Sequence, residues 1–302
     1  MAVNNSTFKW GVAKWIVDPV LGSGTHQTIT AAYNDASAGD TIFVRPGTYT
    51  ENPTVKAGVN LTAFTCDAYT PNVTLVGTLS FSTAGTSSVS GIALKTNSSF
   101  AIAVTGSAAS ILNFINCSII CSNNTGISFT STSGSSSLTF RYCLFDTQTT
   151  GIAYWTNTTT GFMAVYSCDF SNSGASSTAS STSSGNIFIN FSYLRGALST
   201  SSTGVYQIHD SVLDCAIINT AVLTAAGTNT NNTINNSTAT SGTASCLIIG
   251  SGCIVAITGS NFASTNTNVF TGAGSLLYAF IAFSGSSSGH NVTTESPFAT
   301  LI

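Results

Sequence analysis

A short phrase returns along this chain at intervals of 19 to 27 residues: Cys or Ser, one residue, an apolar residue, one residue. Its copies begin at Ser90, Cys117, Cys143, Cys168, Ser192, Ser211, Ser237 and Ser260, spaced 27, 26, 25, 24, 19, 26 and 23. A repeat in this range means stacked supersecondary units, each contacting only its neighbours. The drift in spacing excludes a rigid short repeat. It predicts a solenoid whose turns share one fixed column and differ in the length of their side loops.

Composition narrows the solenoid to β structure. Val, Ile, Phe, Tyr and Thr abound and favour strands, whereas Glu and Lys are scarce. Only 6% of the residues are charged, and polarity comes from Ser, Thr and Asn. Mean hydropathy is +0.32, yet no apolar run approaches the ~20 residues of a membrane helix, so membrane insertion is not expected. Net charge is −3 with no basic patch, which argues against nucleic acid as a partner. Met1–Asp18 has no continuous apolar stretch of the signal-peptide kind. With an uncharged polar surface, these features place the protein on a virion or an extracellular surface.

Of eight cysteines, three (Cys117, Cys143 and Cys168) occupy the repeated column, where stacked side chains lie ~4.8 Å apart. Cys and Ser are similar in size, so the column reads as a buried ladder of free thiols and hydroxyls. Cys117 and Cys121 resemble half a metal site, but no second pair follows at zinc spacing. No metal and no cofactor are expected.

Ile29, Ala32, Tyr33 and Ala36 fall at i, i+3, i+4 and i+7, which predicts a short amphipathic helix over 28–36. Thr41–Val44 is a strand, and Arg45-Pro46-Gly47-Thr48 a turn. These segments, with Glu51 and Gly58-Val59-Asn60-Leu61, resemble the N-terminal cap and first coil of pectin-lyase-like proteins. The resemblance implies an all-β, right-handed parallel β-helix with the 28–36 helix covering its first open edge. It is specific for fold and not for chemistry, because that family includes lyases, hydrolases, phage tailspikes and inert surface proteins. The expected organisation is an N-terminal attachment segment over 1–27 and one β-helix domain over 28–302. Roughly ten coils would occupy about 40–290. The Ser-rich tracts Ser131–Ser137 and Ser171–Gly185 read as protruding loops.

The search for chemistry returns little. Glycoside hydrolysis needs two carboxylates ~5–9.5 Å apart. Asp146 with Asp169, on adjacent coils, and Asp210 with Asp214, around one strand, could meet that distance. The Asn-Thr-Asp, Asp-Asp, Gly-His-Gly and Arg-x-Lys signatures of polygalacturonase-like hydrolases are absent. Were the chain a lyase or hydrolase, Arg141 with Asp146 and Asp169 would be its grouping. Asp40 and Glu51 read as turn and cap ligands, and His209 as a hydrogen-bonded structural histidine. For sugar binding the candidates are Tyr154, Trp155, Tyr193 and Arg195, because an exposed aromatic on a β-helix flank can stack on a sugar face.

The expectation from sequence is a non-enzymatic structural or glycan-binding protein displayed on a virion. It would self-associate, in the manner of a trimeric phage appendage, or pack against other virion proteins. Alternatives are a polysaccharide lyase or glycoside hydrolase, and a bacterial surface adhesin or fibre subunit.

Overall fold

In this computed structural model the described residues are 14–64, 68–96, 100–105, 109–121, 126–130, 136–147, 155–157, 161–173, 179–181, 186–195, 198–200, 205–215, 223–225, 232–241, 247–249, 254–272, 275–279, 282–287, 291–294 and 300–301. Strands stack in parallel on three faces of a solenoid. The first stack holds thirteen strands, among them Ser110–Ile115, Ser137–Arg141, Phe162–Tyr166, Asn186–Asn190 and Tyr206–His209. The second starts at the repeated phrase: Ser118–Cys121, Leu144–Thr147, Asp169–Ser173, Tyr193–Arg195, Val212–Cys215. The third holds short strands such as Ile102–Val104, Ile127–Phe129 and Trp155–Asn157. The long strand Asn261–Gly272 joins the second and third stacks into one twenty-stranded set. This is the right-handed parallel β-helix that the cap and repeat implied.

Three details depart from expectation. The first stack has thirteen strands, against roughly ten coils expected, because the closing coils are short: strands there start at Ile254, Ser275 and Asn291. The first copy of the phrase is out of register by two. Ala93 pairs with Ser118, so Ile92 shares the Cys117 position, and Ser90 pairs instead with Ile115. Finally, the Ser-rich tracts are partly structured: Ser137 opens a first-stack strand, Asp169–Ser173 is a second-stack strand, and Ala179–Ser181 pairs with Trp155–Asn157. Ladder hydrogen bonds run through the backbone, so they tolerate hydroxyl side chains.

The Cys/Ser column lies just past a sharp corner between the first and second stacks. The residue before each member is left-handed: Gly91, Asn116, Tyr142, Ser167, Phe191, Asp210, Asn236 and Gly259 have φ between 47° and 70°. Such a corner leaves backbone groups buried, and each must find a partner. The column supplies them. Ser192 Oγ donates to the Asn190 carbonyl (2.9 Å), Ser211 Oγ to that of His209 (2.6 Å), and Ser237 Oγ to that of Asn235 (2.8 Å). Each oxygen also accepts the N–H of the column residue one coil earlier. Cys168 N–H donates to Ser192 Oγ (3.2 Å), Ser192 N–H to Ser211 Oγ (3.2 Å), and Ser211 N–H to Ser237 Oγ (3.2 Å). Thiols do the same at longer range, with Cys143 N–H donating to Cys168 Sγ at 3.4 Å. Cys117, Cys121, Cys143 and Cys168 are free and buried. Burial pushes the Cys121 thiol up to about 12, and burial together with its thiol neighbours raises Cys143, so both stay protonated.

Inside the coils, parallel register makes columns of like side chains. Val89, Phe114, Phe140, Val165, Ile189, Ile208, Ile234 and Ile257 stack in one buried line. Each contributes about 1.5–3 kcal/mol by leaving water. Phe114 stacks on Phe140 at 5.0 Å, and Phe145 on Phe170 at 4.0 Å with rings nearly parallel. Two polar residues, Ser87 and Asn232, interrupt the neighbouring line; buried Asn232 accepts the Tyr206 N–H and donates to the Ile254 carbonyl, both at 3.1 Å.

The open N-terminal end is closed by helix α1, Ile29–Asp35, whose Ile29, Ala32 and Tyr33 are buried. Thr28 caps it by accepting the Ala31 N–H, and the Glu51 carboxylate accepts the N–H groups of Ile29 and Thr30 at 2.8 Å each. Lys56 donates to the Ala36 carbonyl at the other end (2.6 Å), so both ends of the helix dipole meet opposite charge. The strand Trp15–Val17 pairs with Thr41–Val44. Asp40 accepts from Trp15 Nε1 (2.9 Å) and Ser37 N–H (2.8 Å), and Asp18 from Arg45 (3.0 Å) and Val20 N–H (2.8 Å). Asp40 and Glu51 thus serve the turn and cap, as their sequence context suggested.

Two outcomes follow from the column and the cap. Ser211→Val leaves the Ser192 N–H and the His209 carbonyl without their partner and costs about 2–3 kcal/mol in urea unfolding, whereas Cys143→Ser is near neutral. Hydrogen bonds hold the Asp18 and Asp40 carboxyls below their ordinary range: chiefly from Ser23 for Asp18 and from Trp15 for Asp40. Their stabilisation is present above the unfolded-state value and is lost as pH falls through the lower folded ones. Hydrogen-exchange protection factors over residues 14–47 should therefore fall as pH drops below about 4, ahead of those of the coil body.

Candidate functional site

The second stack carries the carboxylates. Along Leu144–Thr147, Phe145 is buried and Leu144 and Asp146 are half-buried on the outer side; along Asp169–Ser173, Phe170 is buried and Asp169 half-buried. Leu144 pairs with Asp169, but Asp146 pairs with Asn172, because the later strand holds one extra residue. That bulge falls between the two acids. Two residues of offset and one rung put their Cα atoms about 8 Å apart. Bulges of this kind re-aim side chains and are common beside active sites.

The next rungs extend the same outer column. Tyr193, half-buried, pairs with both Asp169 and Val212, and Arg195 pairs with Asp214. Thus Asp146, Asp169, Tyr193 and Arg195 come from three successive strands of one stack. Arg141 does not join them. It ends a first-stack strand, on the other side of the left-handed corner, and its guanidinium lies over the Tyr166 ring at 4.6 Å. Tyr154 lies outside the described residues. Trp155 pairs with Ile127, which pairs with Ile102, and both of those isoleucines are buried. The side chains of Trp155, Arg195 and Asp214 are outside the described set. Among the described residues no group of three or more His, Cys, Asp or Glu is placed to hold a metal ion.

Sequence reasoning missed the outer face of the first stack. Arg141, Tyr166, Asn190, His209 and Asn235 form one register column there. Asn235 Nδ2 lies 3.2 Å from His209 Nδ1, the structural hydrogen bond expected for that histidine. Phe162 and Phe188 meet edge to face at 5.9 Å alongside. The signal was available: each member of the column sits two residues before a Cys or Ser of the repeat.

The stacked strands define a parallel β-helix. No family model matches the chain, and no curated protein matches it in sequence. Among solved structures, it is similar to the pectin methylesterase of Aspergillus niger in a penultimately deglycosylated form. That match has a TM-score of 0.50 at 14% identity, over 95% of this chain and 89% of that one. The deglycosylated form of the same enzyme matches at TM-score 0.43 and 14% identity, over 95% and 89%. A carrot pectin methylesterase matches at 0.27 and 11%, over 96% and 88%. At these identities the likeness establishes the fold. The expectation of a non-enzymatic virion protein is corrected by the first of these matches, which is a pectin methylesterase and not an appendage protein. The virion reading had rested on an uncharged polar surface and on absences along the sequence, although Asp146 and Asp169 already stood on adjacent coils in it.

Proposed function

We propose that this protein is a carbohydrate-modifying hydrolase acting on a polysaccharide, with Asp146 and Asp169 as its acid–base pair. The observation that carries this reading is the placement of two half-buried carboxylates on either side of a β-bulge, in a fold whose solved neighbour is a pectin methylesterase. Hydrolysis of a sugar ester or a glycosidic bond needs one carboxylate to attack or to activate water, and a second acid to protonate the departing oxygen. Adjacent rungs of a rigid solenoid fix that geometry without a loop. Tyr193, next to Asp169 in the column, would pack against a sugar ring, and Arg195 would hold a carboxylate or ester oxygen of the substrate.

The test separates the two bonds. Methanol release from methylated pectin reports ester hydrolysis, and new reducing ends on a polysaccharide panel report glycosidic cleavage. One of the two is expected, and Asp169→Asn or Asp146→Asn should lower it by about 10²–10⁴-fold with the melting temperature maintained. Full activity in both variants, or no product from any substrate, would remove the proposal.

A further inference from the structure

From Cys117 to Ser260 the column serves the same corner on every coil, yet its first three rungs carry sulfur. Hydroxyls serve the corner better. Ser192, Ser211, Ser237 and Ser260 donate to their own corner carbonyls at 2.6–3.0 Å. Cys117, Cys143 and Cys168 do so at 3.3–3.4 Å, and a thiol is a weak donor. Apolarity does not call for sulfur either, since Ile92 fills the same position, fully buried, on the coil before. What hydroxyl and alkyl groups both lack is affinity for soft cations.

The three thiols are free, buried and on successive rungs, with Cys143 N–H donating to Cys168 Sγ. The rings beside them report the local spacing: 5.0 Å from Phe114 to Phe140 and 4.0 Å from Phe145 to Phe170. Side chains of one register column point the same way, so the sulfurs repeat at the rung spacing of ~4.8 Å. A disulfide needs β-carbons ~3.5–4.5 Å apart and a sulfur–sulfur bond of ~2 Å, which stacked parallel side chains do not offer. Two metal–sulfur bonds of ~2.3 Å in a line span ~4.6 Å and fit the gap as it stands. Among the described residues no group of three or more His, Cys, Asp or Glu is placed to hold a metal ion. A tetrahedral cation is therefore not served, and a two-coordinate one is. Burial opposes ionisation of Cys117, but hydrogen bonds from Cys143 and from the Ile92 backbone outweigh it and hold that thiol below its ordinary range. The backbone donors that meet a hydroxyl elsewhere in the column here face sulfur, where they stabilise a thiolate.

We infer that the thiol column is a binding site for a soft monovalent cation, copper(I) or silver(I), held in a line between the Sγ atoms of two successive rungs: Cys117 and Cys143, or Cys143 and Cys168. On binding, two S–H bonds are lost, two metal–sulfur bonds form and two protons leave to solvent; no electron is transferred. Cys143 belongs to both gaps and is the ligand that neither can lack. The site lies inside the coils, whereas Asp146 and Asp169 lie on the outer side, so it stands or falls apart from the proposed hydrolysis.

Anaerobic copper(I) competition against a bicinchoninate chromophore tests it, on protein loaded while folded and on protein refolded with copper(I). Wild type should hold at least one equivalent more than Cys143→Ser, whose remaining sulfurs stand two rungs, ~10 Å, apart. Cys117→Ser and Cys168→Ser each keep one gap of the two, so they should retain the ion with affinity about two-fold weaker. The other cysteines are common to all four proteins and cancel. Copper(I) at about 100 times Kd should raise the melting temperature of wild type by several degrees and leave that of Cys143→Ser unmoved. Serine already fills this column at Ser192, Ser211, Ser237 and Ser260, so the variants suit the fold. X-ray absorption of wild type loaded with one equivalent should show two sulfur neighbours, a readout that needs no variant. Equal uptake by wild type and Cys143→Ser under both loadings, a loss as large in either end variant, or nitrogen or oxygen in the coordination shell would overturn the inference.

Discussion

A parallel β-helix has to turn the same corner on every coil, and at that corner the backbone turns inside the protein. Strand ladders satisfy the straight segments, but the corner's N–H and carbonyl groups have no such guarantee. On each coil from Cys117 to Ser260 one atom meets the need: a hydroxyl or thiol on the β-carbon, as where Ser192 and Ser211 accept from the coil before and donate to their own corner carbonyls. A longer polar side chain would overshoot, and an apolar one would leave both groups unmet. The register of every outer column is set from this line. The distance from Asp146 to Asp169 is a consequence of a ladder that neither acid touches.

That constraint explains why the architecture could be read and the site only in part: Asp146 and Asp169 were legible as neighbours on adjacent coils, and the offset between them was not. The Cys/Ser phrase was visible because its chemistry recurs on each coil from Cys117 to Ser260, whereas Ile92 fills the same position before them. The cap was visible because Thr28, Asp40 and Glu51 make local hydrogen bonds that demand those residue types. Ser90 misled because Ser also suits an outer strand position, where its hydroxyl bonds Thr62. The outer columns obey no such rule. Arg141 and Asp146 are five residues apart in sequence yet fall on different faces, since the left-handed turn at Tyr142 intervenes. The bulge that offsets Asp146 from Asp169 is one extra residue in a run of Ser and Asn, where composition gives no sign of it. Hydroxyl-rich segments looked like loops because turn and strand both accept them.

Outer faces and inner columns are therefore under different rules. Inside, a substitution is judged against the residues directly above and below, as the Phe145–Phe170 stack shows. Outside, a position is free to vary unless something beyond the chain selects it. Strained aromatics at a corner, or acids flanking a bulge, are departures from the rules of the scaffold.

The closed end of the solenoid has a further bearing, on how the protein is made. Helix α1 and the Trp15–Val17 strand precede the coils in sequence, so the sealed edge leaves the ribosome before they do. Each later coil emerges opposite an edge that already presents its corner hydroxyl and its aligned strands. Assembly then becomes directional growth on a template, one coil per two dozen or so residues synthesised, with no need for distant segments to search for one another. The exposed growing edge is always the newest one, and the next coil to be translated is what covers it.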